Sequence, residues 1–247
     1  MKQMLADFTS FLQRDISFID PASANIRFKL LFIVKAFILL FLFKVIWGFI
    51  SLQLLKYGLM NQTKGSGDLN TWLSEVSGFE FILQVVILAP ILEETAFRGI
   101  LQRDQSLVAV AVSVLFYLLI CKSLNLNFYG LSKTTLIVMS GSVILLLMLY
   151  NWTFILTEIT KNIDSHKTLL MWLSAVGFAF WHYHNYEFEG APFHTILLVL
   201  FPHFVAGLFF SWTSLRYGFF WGLALHMFNN AIPVFITLIK SHGSATV

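Results

Sequence analysis

Residues 79–101 read FEFILQVVILAPILEETAFRGIL, a mostly apolar run with two adjacent carboxylates near its end. A helix needs about 20 apolar residues to cross a bilayer, and this run is long enough. Other apolar runs of the chain are also continuous rather than alternating, which argues against a β-barrel. About seven spans are predicted, at 28–58, 79–101, 105–122, 134–157, 168–186, 193–213 and 215–238.

Composition over the whole chain indicates the same class. Hydrophobic residues make up 57% of the 247 residues and charged residues 12%, whereas soluble domains carry about 25% charged residues. So few charges cannot cover a soluble globule of this size, and such high hydrophobicity excludes disorder. We therefore expect an all-α, polytopic membrane helix bundle, inserted as a multi-pass protein in the plasma (inner) membrane.

The N-terminal segment, residues 1–27, differs from the spans. Its apolar side chains recur at helical spacing opposite polar ones, which predicts an amphipathic helix in the membrane interface that ends at Pro21. The densest basic cluster of the chain comprises Lys2, Arg14, Arg27 and Lys29. This cluster favours a cytoplasmic N-terminus, and residues 28–247 are expected to form one transmembrane domain.

The basic residues and the single cysteine limit the partners. The net charge is +3, but Lys and Arg stand between apolar runs, which is typical of loops that face lipid headgroups. We therefore expect membrane lipid, and no nucleic acid, as a partner. Cys121 stands alone, so neither an intrachain disulfide nor a cysteine-based metal site can form.

Ionisable groups inside apolar spans are the informative positions, because each costs roughly 2.5–3.5 kcal/mol at mid-helix on insertion scales. Glu94 and Arg98 are four residues apart, so they share a helix face and predict an ion pair, while Glu93 points away from that face. His182 ends a later apolar run, and His203 lies in another span, where we interpret it as a structural or supporting residue.

A third position adds an amide. His226 lies in an otherwise apolar helix, and Asn230 falls on the same face one turn later. A carboxylate with a neighbouring histidine can deprotonate water. A histidine with an asparagine amide can stabilise an oxyanion, where one well-placed donor is worth roughly 2.7–4 kcal/mol. Together these residues are the parts of a site for peptide hydrolysis.

These positions also resemble the motifs of a known family. The motifs are Glu93-Glu94-x-x-x-Arg98, Phe178-x-x-x-His182 and His226-x-x-x-Asn230. The order of the motifs, and the sequence that leads into the third motif, resemble those of the CPBP intramembrane proteases. This family is also called the CAAX protease and bacteriocin-processing or Abi family, and it includes the Rce1-type prenyl-protein endopeptidases. The resemblance covers roughly residues 79–238.

The resemblance implies a role for each motif residue. Glu93 would be the general base and would work with His182 to activate water, while His226 and Asn230 would form the oxyanion site. Structural roles would fall to Glu94, Arg98 and Phe178. The implied activity is that of a CAAX-protease-like intramembrane endopeptidase acting on a membrane-associated or lipidated peptide.

One departure concerns spacing. In many family members the Phe-x-x-x-His helix follows soon after the Glu-Glu helix, but here a two-helix insertion at about 105–157 separates them. Two added spans preserve the inside–outside parity, so the motif helices can still meet. The added pair is expected to cover one side of the cavity.

The sequence leaves open another mechanism for the same function, and also other functions. Glu93, His182 and His226 also form a possible His₂-carboxylate zinc set, and the family has long been labelled metalloprotease. We favour the metal-free glutamate mechanism, with no cofactor, because Asn230 is a poor zinc ligand and a good oxyanion donor. A non-catalytic immunity or assembly factor that keeps the fold is the second hypothesis. A proton-coupled transporter is disfavoured because no internal repeat is present.

Overall fold

The computed structural model describes residues 2–13, 25–65, 73, 76–130 and 132–244. Helices dominate this part of the chain, and five of them are long and apolar enough to cross a membrane. The five are Ile26–Lys56, Gln105–Ser123, Lys133–Asn151, Phe193–Tyr217 and Phe219–Ile239. The predicted all-α, polytopic membrane bundle is confirmed, whereas the predicted count of about seven spans is not reached by this criterion.

The elements are numbered in chain order. The helices are α1 (Lys2–Gln13), α2 (Ile26–Lys56), α3 (Gly78–Ile82), α4 (Ala89–Arg98), α5 (Gln105–Ser123), α6 (Lys133–Asn151), α7 (Thr153–Ser165), α8 (Lys167–Trp181), α9 (Phe193–Tyr217) and α10 (Phe219–Ser244). A π-helical turn, Leu83–Leu88, joins α3 to α4, and 3₁₀ turns follow α4 at Gly99–Leu101 and α8 at His182–Asn185. Two short strands, β1 (Lys64–Gly65) and β2 (Tyr186–Glu187), pair antiparallel and tie the chain after α2 to the chain after α8.

Two predicted spans have different ends in the structure. The run 134–157 is broken at Trp152, where φ is −99° and ψ is 60°, so α6 and α7 are separate helices. The span 168–186 stops early as well, because α8 ends at Trp181 after 15 residues. The first prediction was wrong because apolar composition continues past Trp152, where the backbone leaves the helix. The second was wrong because residues 182–185 form a 3₁₀ turn instead of continuing the α-helix.

Helix α9 is the centre of the bundle. Its second half, from Ala206 onward, is buried except at Arg216, because α2, α4, α8 and α10 all pack against it. Gly207 permits a close approach: a Cβ there would lie 3.2 Å from the Ala175 Cα on α8 and 3.1 Å from Arg98 Nη2 on α4. The motif helices therefore meet against the backbone of α9.

Helix α1 lies against the protein with its apolar face. The Phe8 ring is 4.5 Å from the Phe209 ring and 5.0 Å from the Trp212 ring on α9, and Asp7 pairs with Arg216 at 3.0 Å. The amphipathic pattern is thus explained at least in part by packing against α9. The predicted helix end at Pro21 lies outside the described residues, and the interfacial location stays a prediction.

Candidate active site

A change of helix type places the Glu-Glu motif. In the π turn before α4, the Ala89 N–H donates to the Gln84 carbonyl five residues back. The next bond of that register would need an N–H at Pro90, which has none. The Val85 carbonyl is therefore free, and it accepts a hydrogen bond from Asn230 Nδ2 at 3.1 Å. Such π turns occur frequently at functional sites.

Glu94 and Arg98 form a fully buried ion pair behind the site. Arg98 Nη1 is 3.2 Å from Glu94 Oε1, and neither side chain is exposed, so the predicted i,i+4 pair is confirmed. Arg98 Nη2 also donates to the Gly207 carbonyl at 3.0 Å, and the guanidinium lies 4.3 Å from the centre of the Phe178 ring. Phe178 thus covers the cation with its aromatic face.

His226 lies between the two carboxylates. Its Nδ1 is 3.0 Å from Glu94 Oε1, and its Nε2 is 3.7 Å from Glu93 Oε2. Because Glu94, held by Arg98, can only accept, Nδ1 carries the proton of that bond. The ring is stacked on Phe210 at 4.5 Å and is 1% exposed, so its orientation is fixed by contacts on several sides.

His182 has a defined tautomer. Its Nδ1 donates to the Phe178 carbonyl at 2.8 Å, so Nε2 of the neutral ring is an acceptor. The ring is stacked on His203 at 4.1 Å, and His203 Nε2 is 2.8 Å from the Tyr186 hydroxyl. His203 therefore supports the His182 ring, in agreement with its interpretation as a supporting residue.

Asn230 is oriented by a chain of hydrogen bonds that runs from Lys44 through Asn229 to the Val85 carbonyl. Its Nδ2 donates to the Val85 carbonyl, and its Oδ1 accepts from Asn229 Nδ2 at 3.2 Å. Asn229 Oδ1 in turn accepts from Lys44 Nζ at 2.6 Å. Asn229 thus bridges Lys44 and Asn230. The signal that could have found this network was the lysine in an apolar span.

One cavity of about 400 Å³ joins these residues. Glu93, His182 and Asn230 all line it, although they come from three separate motifs. Glu93 is 14% exposed and lines the cavity together with Trp181. The fourth predicted residue, His226, is not part of the lining and lies behind Glu93. Its predicted oxyanion role stays a prediction.

The end of α5 and the loop that follows it, both within the predicted insertion, supply one wall of this cavity. Lys122 at the end of α5 donates to the Trp181 carbonyl at 2.6 Å, and its ammonium lies 3.8 Å from the Trp181 ring centre. Tyr129, in the loop before α6, lines the same wall. Burial, together with the nearby Glu93 carboxylate, raises the pKa of Tyr129, so its hydroxyl stays protonated. Sequence patterns gave no sign of either residue's role.

The possible zinc ligands are Glu93, His182 and His226. Within the described residues, no group of three His, Cys, Asp or Glu side chains is placed to hold a metal ion. Glu93, His182 and His226 are thus not grouped around one point in this part of the structure, and the choice between zinc and a metal-free mechanism stays a prediction.

Comparisons with known proteins agree with the motifs. No curated protein and no solved structure matches the chain. A family model described as type II CAAX prenyl endopeptidase Rce1-like matches residues 76–232, which hold all three motifs. That match covers more than half of the chain and starts after α2. The chain therefore belongs to the Rce1-like family of type II CAAX prenyl endopeptidases.

Proposed function

We propose that this protein is an intramembrane endopeptidase that hydrolyses a peptide bond of a membrane-associated protein or peptide. The observation that carries the proposal is the single cavity into which Glu93, His182 and Asn230 face from three helical segments. Two of these residues can accept protons and one can donate, which is the division of roles that amide hydrolysis requires.

The first step is the activation of water. The Nδ1 of His182 is engaged by a backbone carbonyl, so its Nε2 can accept one hydrogen of a water molecule. Glu93 accepts the other hydrogen and takes that proton as the water oxygen attacks the scissile carbonyl carbon. Two acceptors orient one water, so the attacking lone pair has a fixed direction.

The second step is the stabilisation of the tetrahedral intermediate. Asn230 uses one Nδ2 hydrogen on Val85, and the other is available for the oxyanion. For the predicted oxyanion role, His226 would have to carry a second proton, on Nε2, because its Nδ1–H is already donated to Glu94. Collapse of the intermediate breaks the C–N bond, and the proton held by Glu93 passes to the leaving amine.

Glu94 and Arg98 keep the charge of this step in place. Glu94 holds His226 through Nδ1, and Arg98 balances Glu94 where both side chains are fully buried. Neither residue lines the cavity, so neither contacts the substrate. Their role is to fix the imidazole and the local charge.

The substrate class follows from the surroundings of the site. The five apolar helices make this an integral membrane protein, so the substrate reaches the site from the bilayer or its surface. A membrane-associated or lipidated peptide fits this access, and lipidation would supply its membrane affinity. We also propose that this membrane is the plasma (inner) membrane, as we expect from the sequence.

The test compares membrane fractions from cells that carry the wild type, Glu93→Gln or Glu80→Gln. Glu80 is an exposed carboxylate on α3 and serves as the matched control. A peptide whose cleavage disappears only in Glu93→Gln identifies the substrate, and cleavage should survive strict chelation. Identical peptide sets in all three strains would refute the proposal and favour the non-catalytic assembly factor. Activity lost on chelation and restored only by zinc would refute the metal-free mechanism.

A further inference from the structure

Helix α2 turns one face toward the bundle, and a lysine continues that face. Phe32, Ala36 and Leu40 are buried at successive four-residue spacings. The next position in the row is Lys44, inside a span of high apolarity. A lysine at such a depth disfavours membrane insertion. Its presence on the packed face, rather than the lipid-exposed face, calls for a local function.

Aromatic contacts on either side fix Lys44 against the bundle. Trp47 Nε1 donates to the Leu198 carbonyl at 3.2 Å, and its ring lies 4.6 Å from the Phe201 ring on α9. The Phe43 ring packs against Phe201 at 5.8 Å. The backbone of α2 is therefore held to α9 next to Lys44, and the ammonium is directed to a defined place.

That place is the start of a polarised amide chain. A lysine only donates, so the atom of Asn229 that faces Lys44 must be its oxygen. Asn229 must then present Nδ2 to Asn230, which accepts through Oδ1 and points its own Nδ2 at the Val85 carbonyl, an acceptor. A donor-only group at one end and an acceptor-only group at the other set both amide orientations.

The chain has an electrostatic consequence as well. Each amide that accepts a hydrogen bond from a charged or polarised donor becomes a stronger donor itself. The positive charge of Lys44 is thus transmitted to the Asn230 N–H groups, one of which is free for the cavity. Negative charge that develops there is stabilised more strongly than a lone asparagine would allow.

We propose that Lys44 is a positioning residue for the hydrolytic reaction, acting through Asn229 to orient and polarise the Asn230 amide. This inference rests on the proposed endopeptidase function. It extends the site to α2, which lies outside the family-matched residues 76–232. Lys44 does not line the cavity, so it affects the transition state through Asn230 and does not bind substrate.

The experiment uses the full-length protein with Lys44→Met and the control Lys35→Met. Lys35 is on the same helix but is exposed, so it tests the loss of one cation from α2. For the peptide that the membrane-fraction comparison identifies, Lys44→Met should lower kcat about ten-fold and leave KM unchanged. The reason is that a charge-assisted hydrogen bond behind the oxyanion donor is lost. Lys35→Met should match the wild type.

A double-mutant cycle separates positioning from general stability. Asn230→Ala is expected to lower kcat by about 10²–10³, and adding Lys44→Met should lower it no further, because Lys44 acts through Asn230. Fully additive effects would overturn the proposal. Equal kcat for Lys44→Met, Lys35→Met and the wild type would overturn it too.

A spectroscopic arm does not depend on a substrate. In protein labelled with ¹⁵N-asparagine, Lys44→Met should shift the side-chain amide signals of Asn229 and Asn230, and Lys35→Met should not. Unshifted signals would overturn the amide chain whatever the activity. If Lys44→Met shifts these signals but the wild-type protein cleaves no peptide, the proposed function has failed, because the amide chain then exists without catalysis.

Discussion

Arg98→Met should destabilise the protein by about 3–5 kcal/mol, the cost of leaving one member of a buried ion pair without its partner. The guanidinium is fully buried, lies 3.2 Å from Glu94 Oε1 and donates to the Gly207 carbonyl at 3.0 Å. Methionine fills much of the same volume, so the substitution removes charge and hydrogen bonds more than packing. Glu94 and the Gly207 carbonyl would then lack a cation and a donor.

A matched control isolates burial as the cause. Arg103 and Asp164 are also 3.2 Å apart, but their side chains are 61% and 42% exposed. An exposed pair is worth about 0–1 kcal/mol, so Arg103→Met should change the free energy of unfolding by no more than that. The two substitutions share their chemistry and the ion-pair distance and differ in solvent access.

Reversible unfolding in mixed micelles measures both variants against the wild type. The double variant Arg98→Met with Glu94→Gln should be less destabilised than Arg98→Met alone, because the unpaired carboxylate is then neutral. Equal losses for Arg98→Met and Arg103→Met would refute the reasoning, since burial would then contribute nothing to the strength of the pair.

Two further substitutions test backbone features of the site. Pro90→Ala supplies an N–H that can compete with Asn230 for the Val85 carbonyl, so kcat for peptide cleavage should fall while the helix gains stability. Gly222→Ala places a Cβ against Ser214 Oγ and 2.9 Å from the Phe210 carbonyl, so thermal denaturation should show a loss of stability.

Each has its own check. The effect of Pro90→Ala on kcat should vanish in an Asn230→Ala background, and an effect that persists there would mean that the proline acts by another route. Gly48→Ala on α2 meets nothing within 4 Å and should stabilise by about 1 kcal/mol, as alanine does in an open helix. A stabilised Gly222→Ala would contradict the steric argument.

The sequence determined the class of the protein and indicated which residues are candidates for its site. Long apolar runs with few charges have one stable environment, a bilayer, where helices satisfy their own backbone hydrogen bonds. In that background Glu93, His182, His226 and Asn230 were conspicuous as polar residues. The Glu94–Arg98 pair was also predictable, because both residues belong to one helix and local spacing decides whether they meet.

Hydropathy could not predict where the backbone changes its helix type or ends a helix inside an apolar run. The break at Trp152 lies in apolar sequence, so composition gives no signal there. The change from α-helix to a 3₁₀ turn after Trp181 is a change of hydrogen-bond register, which composition does not encode. The π turn before Pro90 is similar, because a proline indicates a disturbed helix but not which carbonyl becomes free. A local hydrogen-bond register decides that, and apolar side chains do not encode it.

Only the tertiary structure decided how the motif residues meet. Sequence periodicity fixes which face of its own helix a residue occupies, but not how that helix is rotated against the others. Packing around Gly207 sets that rotation here, and it brings Glu93, His182 and Asn230 to one cavity while His226 stays behind Glu93. The bond from Lys44 to Asn229 has the same origin. The two residues lie far apart in the chain, and only the docking of α2 brings them into contact.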